Sequence, residues 1–125
     1  GDEVMELELN SNEPIYIQIK RLLETKILCG EWKGGEKVPS VRELASDVKV
    51  NPNTIVKVYS ELDKDGLITT KRGIGKFVTE DEKKVCNLKV EASKNKFYEF
   101  IKTVKQFGFS KDEILTIIDE MYEEV

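Results

Sequence analysis

Apolar residues recur every three to four positions in the first half of the chain, alternate briefly in the middle, and return to helical spacing toward the end. Residues 1–11 show no such period and read as a flexible N-terminal arm. Pro14 opens the first helix, whose apolar positions are Ile15, Ile19, Leu22, Leu23 and Ile27, and Gly30 ends it. Ser40 and Glu43 have the spacing of a capping box ahead of a short helix with Val41, Leu44, Ala45 and Val48 inward. Asn51 followed by Pro52 marks a third helix start. Ile55, Val58, Tyr59 and Leu62 form its buried stripe, and Gly66 is placed as its left-handed cap. Leu67–Lys71 and Lys76–Thr79 are rich in β-branched residues and flank Arg72-Gly73-Ile74-Gly75, which predicts a hairpin. From Asp81 the helical period resumes through Phe97, Phe100, Ile101, Val104 and Phe107 to Gly108. A second capping box, Ser110 to Glu113, precedes a last stripe of Ile114, Ile117, Ile118, Met121 and Val125.

The order helix, short helix, turn, helix, hairpin predicts a winged helix-turn-helix over 12–80, followed by a two-helix C-terminal dimerisation tail over 81–125. The fold class is mainly α with a small β-hairpin. At 125 residues, 39% hydrophobic and 35% charged, the chain suits one domain with an appendage. The tail stripes are too few to bury themselves, so a homodimer pairing through Phe97, Phe100, Ile101, Val104, Phe107, Ile114, Ile117, Ile118 and Met121 is expected.

Composition removes several functions. The chain has no histidine, which excludes Cys/His zinc sites and Ser-His-Asp or Cys-His catalysis. No cofactor, metal or catalytic residue is expected, and the carboxylates fall on helix surfaces without a phosphate loop or nucleophile elbow. Cys29 and Cys86 are expected to be reduced. No apolar run approaches a membrane span, and the acidic start Gly1-Asp2-Glu3 is unlike a signal peptide, so a cytoplasmic location is expected. Gly1 to Val4 are expected to be an addition ahead of a natural start at Met5. The formal net charge of −4 by itself opposes nucleic-acid binding, but it is unevenly spread. Between Lys37 and Lys76, eight positive residues face five negative ones, while both chain ends are acidic.

That basic segment holds the candidate DNA contacts: Ser40, Arg42, Asn51, Asn53, Thr54, Lys57, Arg72, Gly73, Gly75 and Lys76. Recognition helices read bases with their first turns. Asn53 offers the donor–acceptor pair adenine requires, Thr54 suits a phosphate or thymine methyl, and Lys57 suits a phosphate or guanine. Free N–H groups near Asn51 are expected to hold a phosphate oxygen. At the hairpin tip, glycine lets the backbone approach DNA, and Arg72 suits a narrow minor groove. The rival reading is a winged-helix protein-interaction module that never touches nucleic acid, which the acidic total charge favours.

Residues 12–79 resemble the GntR family of bacterial regulators. The likeness rests on Pro14-Ile15-Tyr16-Ile17-Gln18-Ile19, on Gly35-Glu36-Lys37-Val38-Pro39-Ser40-Val41-Arg42-Glu43-Leu44-Ala45, and on Asn51-Pro52-Asn53-Thr54. Glu61-Leu62-Asp63-Lys64-Asp65-Gly66-Leu67-Ile68 and Arg72-Gly73-Ile74-Gly75-Lys76-Phe77-Val78 complete it. The resemblance implies a DNA-binding repressor in which Arg42 and Gly73 touch DNA and the start of the third helix reads bases. Pro52 and Val56 stand where better-known branches often carry arginines, which shifts the expected readers to Asn53, Thr54 and Lys57. The short tail resembles the YtrA-like subfamily, which implies two C-terminal helices that pair subunits. A small-molecule effector that releases DNA is a further expectation, with no polar cluster to mark its pocket.

Overall fold

A computed structural model describes residues 12–125; the N-terminal arm expected over 1–11 lies outside the described residues. The elements are α1 (Ile15–Leu28), α2 (Val41–Val48), α3 (Pro52–Lys64), β1 (Ile68–Lys71), β2 (Gly75–Val78), α4 (Glu82–Gln106) and α5 (Lys111–Met121), ending in a short 3-10 turn over Tyr122–Glu124. The chain divides into two compact units, the first reaching Leu88 and the second running from Lys89 to Val125. The division falls later than the 80/81 boundary the sequence suggests, because Val85 and Leu88 of α4 pack on the core of the first unit.

That core joins all five preceding elements. Ile19, Leu23 and Ile27 of α1 meet Leu44, Ala45 and Val48 of α2, and Ile55, Val58, Tyr59 and Leu62 of α3. Leu67, Ile68 and Val78 close it from the hairpin, and Val38 from the loop before α2. On α1 the apolar stripe is only partly inward: Ile15 is exposed and Leu22 half-buried. Lys20 ties α1 to α3 through Asp65 at 3.1 Å and Glu61 at 3.7 Å. Burial works to lower the Lys20 pKa, but the Asp65 hydrogen bond and the charges of Asp65, Glu24 and Glu61 outweigh it, so the net shift is upward.

The helix ends follow the sequence with three differences. Pro14 is the residue before α1 rather than its first helical position. At α2, Ser40 Oγ accepts the Glu43 N–H, but the return bond from the Glu43 carboxylate is not made, so the box is half formed; the one at Ser110 and Glu113 is complete. Between α2 and α3 the chain turns at Lys49, which takes a left-handed conformation at φ 57° without being glycine. The Lys49 N–H bonds the Ala45 carbonyl, as does that of Val50, so the α2 carbonyl end is satisfied and the turn stays tight.

At the end of α3, Gly66 has φ +79°, its N–H bonds the Asp63 carbonyl, and Leu67 N–H bonds the Leu62 carbonyl. This pair of bonds is the Schellman pattern. The Lys84 side chain lies over the open side of Gly66 and is free to swing aside, so it is the left-handed backbone that favours glycine there. The two strands pair antiparallel from Ile68 with Val78 to Lys71 with Gly75. A third extended segment, absent from the sequence reading, joins them: Lys37 bridges Phe77, Val38 N–H bonds the Lys76 carbonyl, and Val78 N–H bonds the Glu36 carbonyl. The segment pins the chain entering α2 to the wing.

In the second unit no residue of α4 or α5 is fully buried. Phe97, Phe100, Ile101, Phe107, Ile118 and Met121 are exposed, and Val104, Ile114 and Ile117 half-buried. Among the described residues no helix is long and apolar enough to cross a membrane.

Candidate nucleic-acid interface

The exposed face of α3 follows from its own arithmetic. Ile55, Val58, Tyr59 and Leu62 turn inward, which leaves Asn53, Lys57, Ser60 and Lys64 along the opposite line at helical spacing. Val56 lies at one edge and is 52% exposed. Thr54 is half-buried and shares the other edge with Glu61, which Lys20 of α1 binds. The Asn53 amide has no hydrogen-bond partner among the described residues and stands free at the second helical position.

The start of α3 narrows one expectation. Pro52 has no N–H to give. Asn53 N–H is held by Asn51 Oδ1 at 2.8 Å, and Thr54 N–H by the Asn51 carbonyl at 2.9 Å. The start of α3 therefore keeps one backbone donor for a phosphate, the Asn51 N–H, which has no partner among the described residues. The start of α2 keeps more: Ser40 caps Glu43, while the N–H groups of Val41 and Arg42 have no partner among the described residues. Arg42, exposed and without an ion pair among the described residues, extends from that same turn. A phosphate oxygen placed at the start of α2 would meet two backbone donors, a helix dipole and a guanidinium.

Tyr59 locks this arrangement. Its ring is buried, and its hydroxyl donates to the Pro39 carbonyl at 2.6 Å, one residue before the Ser40 cap. Burial, and then the nearby Glu43 charge, push the phenol well above the ordinary tyrosine range, so it stays a donor at every workable pH.

The wing carries Arg72 and Gly73 at its tip. Lys71 carbonyl accepts Ile74 N–H at 2.9 Å, and Gly73 is at φ +78° with open space around it. A β-turn of this kind needs a positive φ at its third residue, and the missing side chain leaves the Gly73 backbone open to close approach. Arg72 is exposed and without an ion pair among the described residues. Gly75 lies against the Lys37 side chain, which the sequence reading did not single out and which adds a cation beside the tip. Lys76, by contrast, is engaged within the fold: its ammonium donates to Thr70 Oγ1 at 2.7 Å and lies 3.7 Å from Asp63, which accepts the Thr70 hydroxyl. Its place is that of a strut between α3 and the wing.

Between α3 and the wing runs an open groove of about 490 Å³ lined by Val41, Val56, Tyr59, Ser60, Asp63, Lys64 and Lys76. Ser60 and Lys64 line it from α3 and were not among the expected contacts. Their signal in the sequence is the helical spacing from Asn53, which puts them on the outer face beyond the first turns. Among the described residues no group of His, Cys, Asp and Glu is arranged to hold a metal ion.

The family model of the gntR bacterial regulatory proteins matches residues 15–78, the span from the first residue of α1 to the last of β2. The chain belongs to the GntR family. It is a DNA-binding transcription regulator, not an enzyme. The regulator is 39% identical over 111 residues to the uncharacterised HTH-type transcriptional regulator YhcF of Bacillus subtilis, covering 89% of this chain and 92% of that one. It is 42% identical over 80 residues to the HTH-type transcriptional repressor YtrA of the same organism, covering 64% and 62%. A GntR family regulator from Listeria monocytogenes superposes with a TM-score of 0.72 at 36% identity, over 90% of this chain and 98% of that one. YtrA from Sulfolobus acidocaldarius gives 0.55 at 34%, over 97% and 98%, which together with the Bacillus repressor places the regulator in the YtrA-like subfamily. The DNA-binding domain of AraR, solved in complex with operator ORE1, matches with a TM-score of 0.52 at 29% identity, over 61% and 95%.

Proposed function

We propose that the regulator is a homodimeric repressor that binds a palindromic operator from the cytoplasm. The observation that carries the DNA reading is the exposed polar face of α3, Asn53 to Lys64, framed by Arg42 and Arg72 in a chain whose remaining charge is net acidic. Asn53 and Thr54 read bases in the major groove. Ser40, Arg42, Lys57 and Asn51 hold the backbone beside it, and Arg72, Gly73 and Gly75 meet the flanking minor groove. Lys76 acts from within, by holding the wing. Repression is supported by the repressor name of the Bacillus YtrA relative.

Dimerisation through Phe97, Phe100, Ile101, Val104, Phe107, Ile114, Ile117, Ile118 and Met121 is supported by the absence of any buried residue among them in the single chain, six being exposed and three half-buried. Charge supports it too: α4 carries seven lysines against three glutamates, whereas the segment from Lys111 to Glu124 has one lysine against six acids. A two-fold pair would set recognition helices about 34 Å apart, one turn of DNA. Release by a small effector fits the same frame, since a ligand that changed this separation would uncouple the half-sites.

The roles separate experimentally. Asn53→Ala is expected to lower operator affinity by about 1–3 kcal/mol per half-site and to relax one base position. Arg72→Ala is expected to weaken operator and unrelated duplexes by similar factors and to reduce the salt slope by about one per subunit. Anisotropy titrations against matched and scrambled duplexes at several salt concentrations read both; unchanged selectivity in Asn53→Ala would remove its assigned role.

A further inference from the structure

Lys57 does not project freely from α3: its ammonium lies 3.6 Å from the centre of the Tyr16 ring on α1. Two four-residue steps run side by side here. Lys20, one turn after Tyr16, binds Glu61 and Asp65, one and two turns after Lys57. α1 therefore lies along the Glu61 edge of α3, and Tyr16 draws Lys57 to that edge. The ring face attracts the cation through its quadrupole and covers one side of it, leaving the other N–H donors pointing outward. Tyr16 is itself half-buried and packed against the core, so the ring is a fixed platform.

A lysine that reads guanine must reach the base edges in the middle of the groove. A lysine held at the flank of the recognition helix meets the sugar–phosphate wall instead, where its charge acts on every sequence alike. We propose that Tyr16 is a positioning residue that commits Lys57 to the DNA backbone on the α1 side of α3. This makes the first turn of α1 a fourth part of the interface, beside the start of α2, α3 and the wing. It rests on the DNA-binding reading above and deepens it.

The test uses the full chain and two duplex sets, the selected operator and scrambled sequence. Lys57→Met is expected to weaken both by similar factors and to lower the salt slope by about one per subunit. Tyr16→Phe keeps the ring face and is expected to bind as wild type. Tyr16→Leu keeps apolar bulk but loses the π face; it is expected to bind the operator about two- to five-fold more weakly per half-site. In the Lys57→Met background the same Leu change is expected to cost nothing further. Thermal midpoints are recorded for each variant, and if Tyr16→Leu is unfolded Tyr16→Met takes its place with the same expectation. A Lys57→Met chain that loses operator binding but keeps scrambled-duplex binding would make Lys57 a base reader and overturn the proposal. So would a folded Tyr16→Leu chain with wild-type affinity. If wild-type chain binds neither duplex set, the DNA reading itself fails, an outcome distinct from these.

Discussion

A chain carrying Phe100→Glu and Val104→Glu is expected to sediment as a monomer at micromolar concentration and to bind a two-half-site operator about 10²- to 10⁴-fold more weakly than wild type. The reason is geometric rather than chemical. Paired subunits present the second recognition unit at high effective concentration once the first is seated; separated subunits do not. Phe100 is exposed and Val104 half-buried in the single chain, so two carboxylates there keep most of their access to water within one subunit. Against a partner's apolar stripe they would be buried charges without partners. Affinity for a single half-site is expected to stay near wild type, and the thermal midpoint of the first unit is expected to be unaffected. Sedimentation equilibrium combined with titration of one-site and two-site duplexes measures both. Dimeric double-glutamate chain would place the interface elsewhere.

Leu62→Ala is expected to act in the opposite manner, through the fold. Leu62 is fully buried on α3 among the α1 and hairpin residues, and its carbonyl accepts the Leu67 N–H that starts the wing. Truncating such a side chain costs about 2–5 kcal/mol in lost burial and cavity. For a unit of this size that is a large share of total stability and lowers the melting midpoint by about 10 °C or more. Differential scanning calorimetry reads the shift. Below the new midpoint the chain is expected to select the same operator sequence as wild type, because no exposed side chain has changed.

The architecture was largely legible because helical and strand periods differ so plainly here. Ile55, Val58, Tyr59 and Leu62 could only be one buried stripe, and Asn51-Pro52 and Gly66 bracket it with residues suited to those places. The joins were less legible. Lys49 adopts a left-handed turn that its side chain does not advertise, imposed by the packing of α2 against α3. The Lys37–Phe77 bridge is a single pairing in a short Gly- and Pro-bounded segment with no alternation to read.

In the interface, sequence reasoning named side chains well and their engagements poorly. Asn51 looked like the mouth of a phosphate site with several donors, yet its cap and carbonyl take up the Asn53 and Thr54 N–H groups and leave its own. Further free donors lie at α2, where the cap is only half closed. Lys57 and Lys76 both looked like free cations. One is stacked on Tyr16 and the other bonded to Thr70, because partners distant in sequence reach them only after folding. Arg42 and Arg72 are left unpaired among the described residues, and they carry the electrostatic part of the account.

The central claim is that the α3 face and the wing bind duplex DNA in a sequence-dependent way. Selecting duplexes from a random pool with wild-type chain, then titrating the winners at low and moderate salt, tests it most directly. The account predicts an inverted repeat with half-sites one helical turn apart and an affinity that drops steeply as salt rises. Failure to retain any duplex even at low ionic strength, with the chain folded, would contradict it and leave the winged helix as a protein-interaction module.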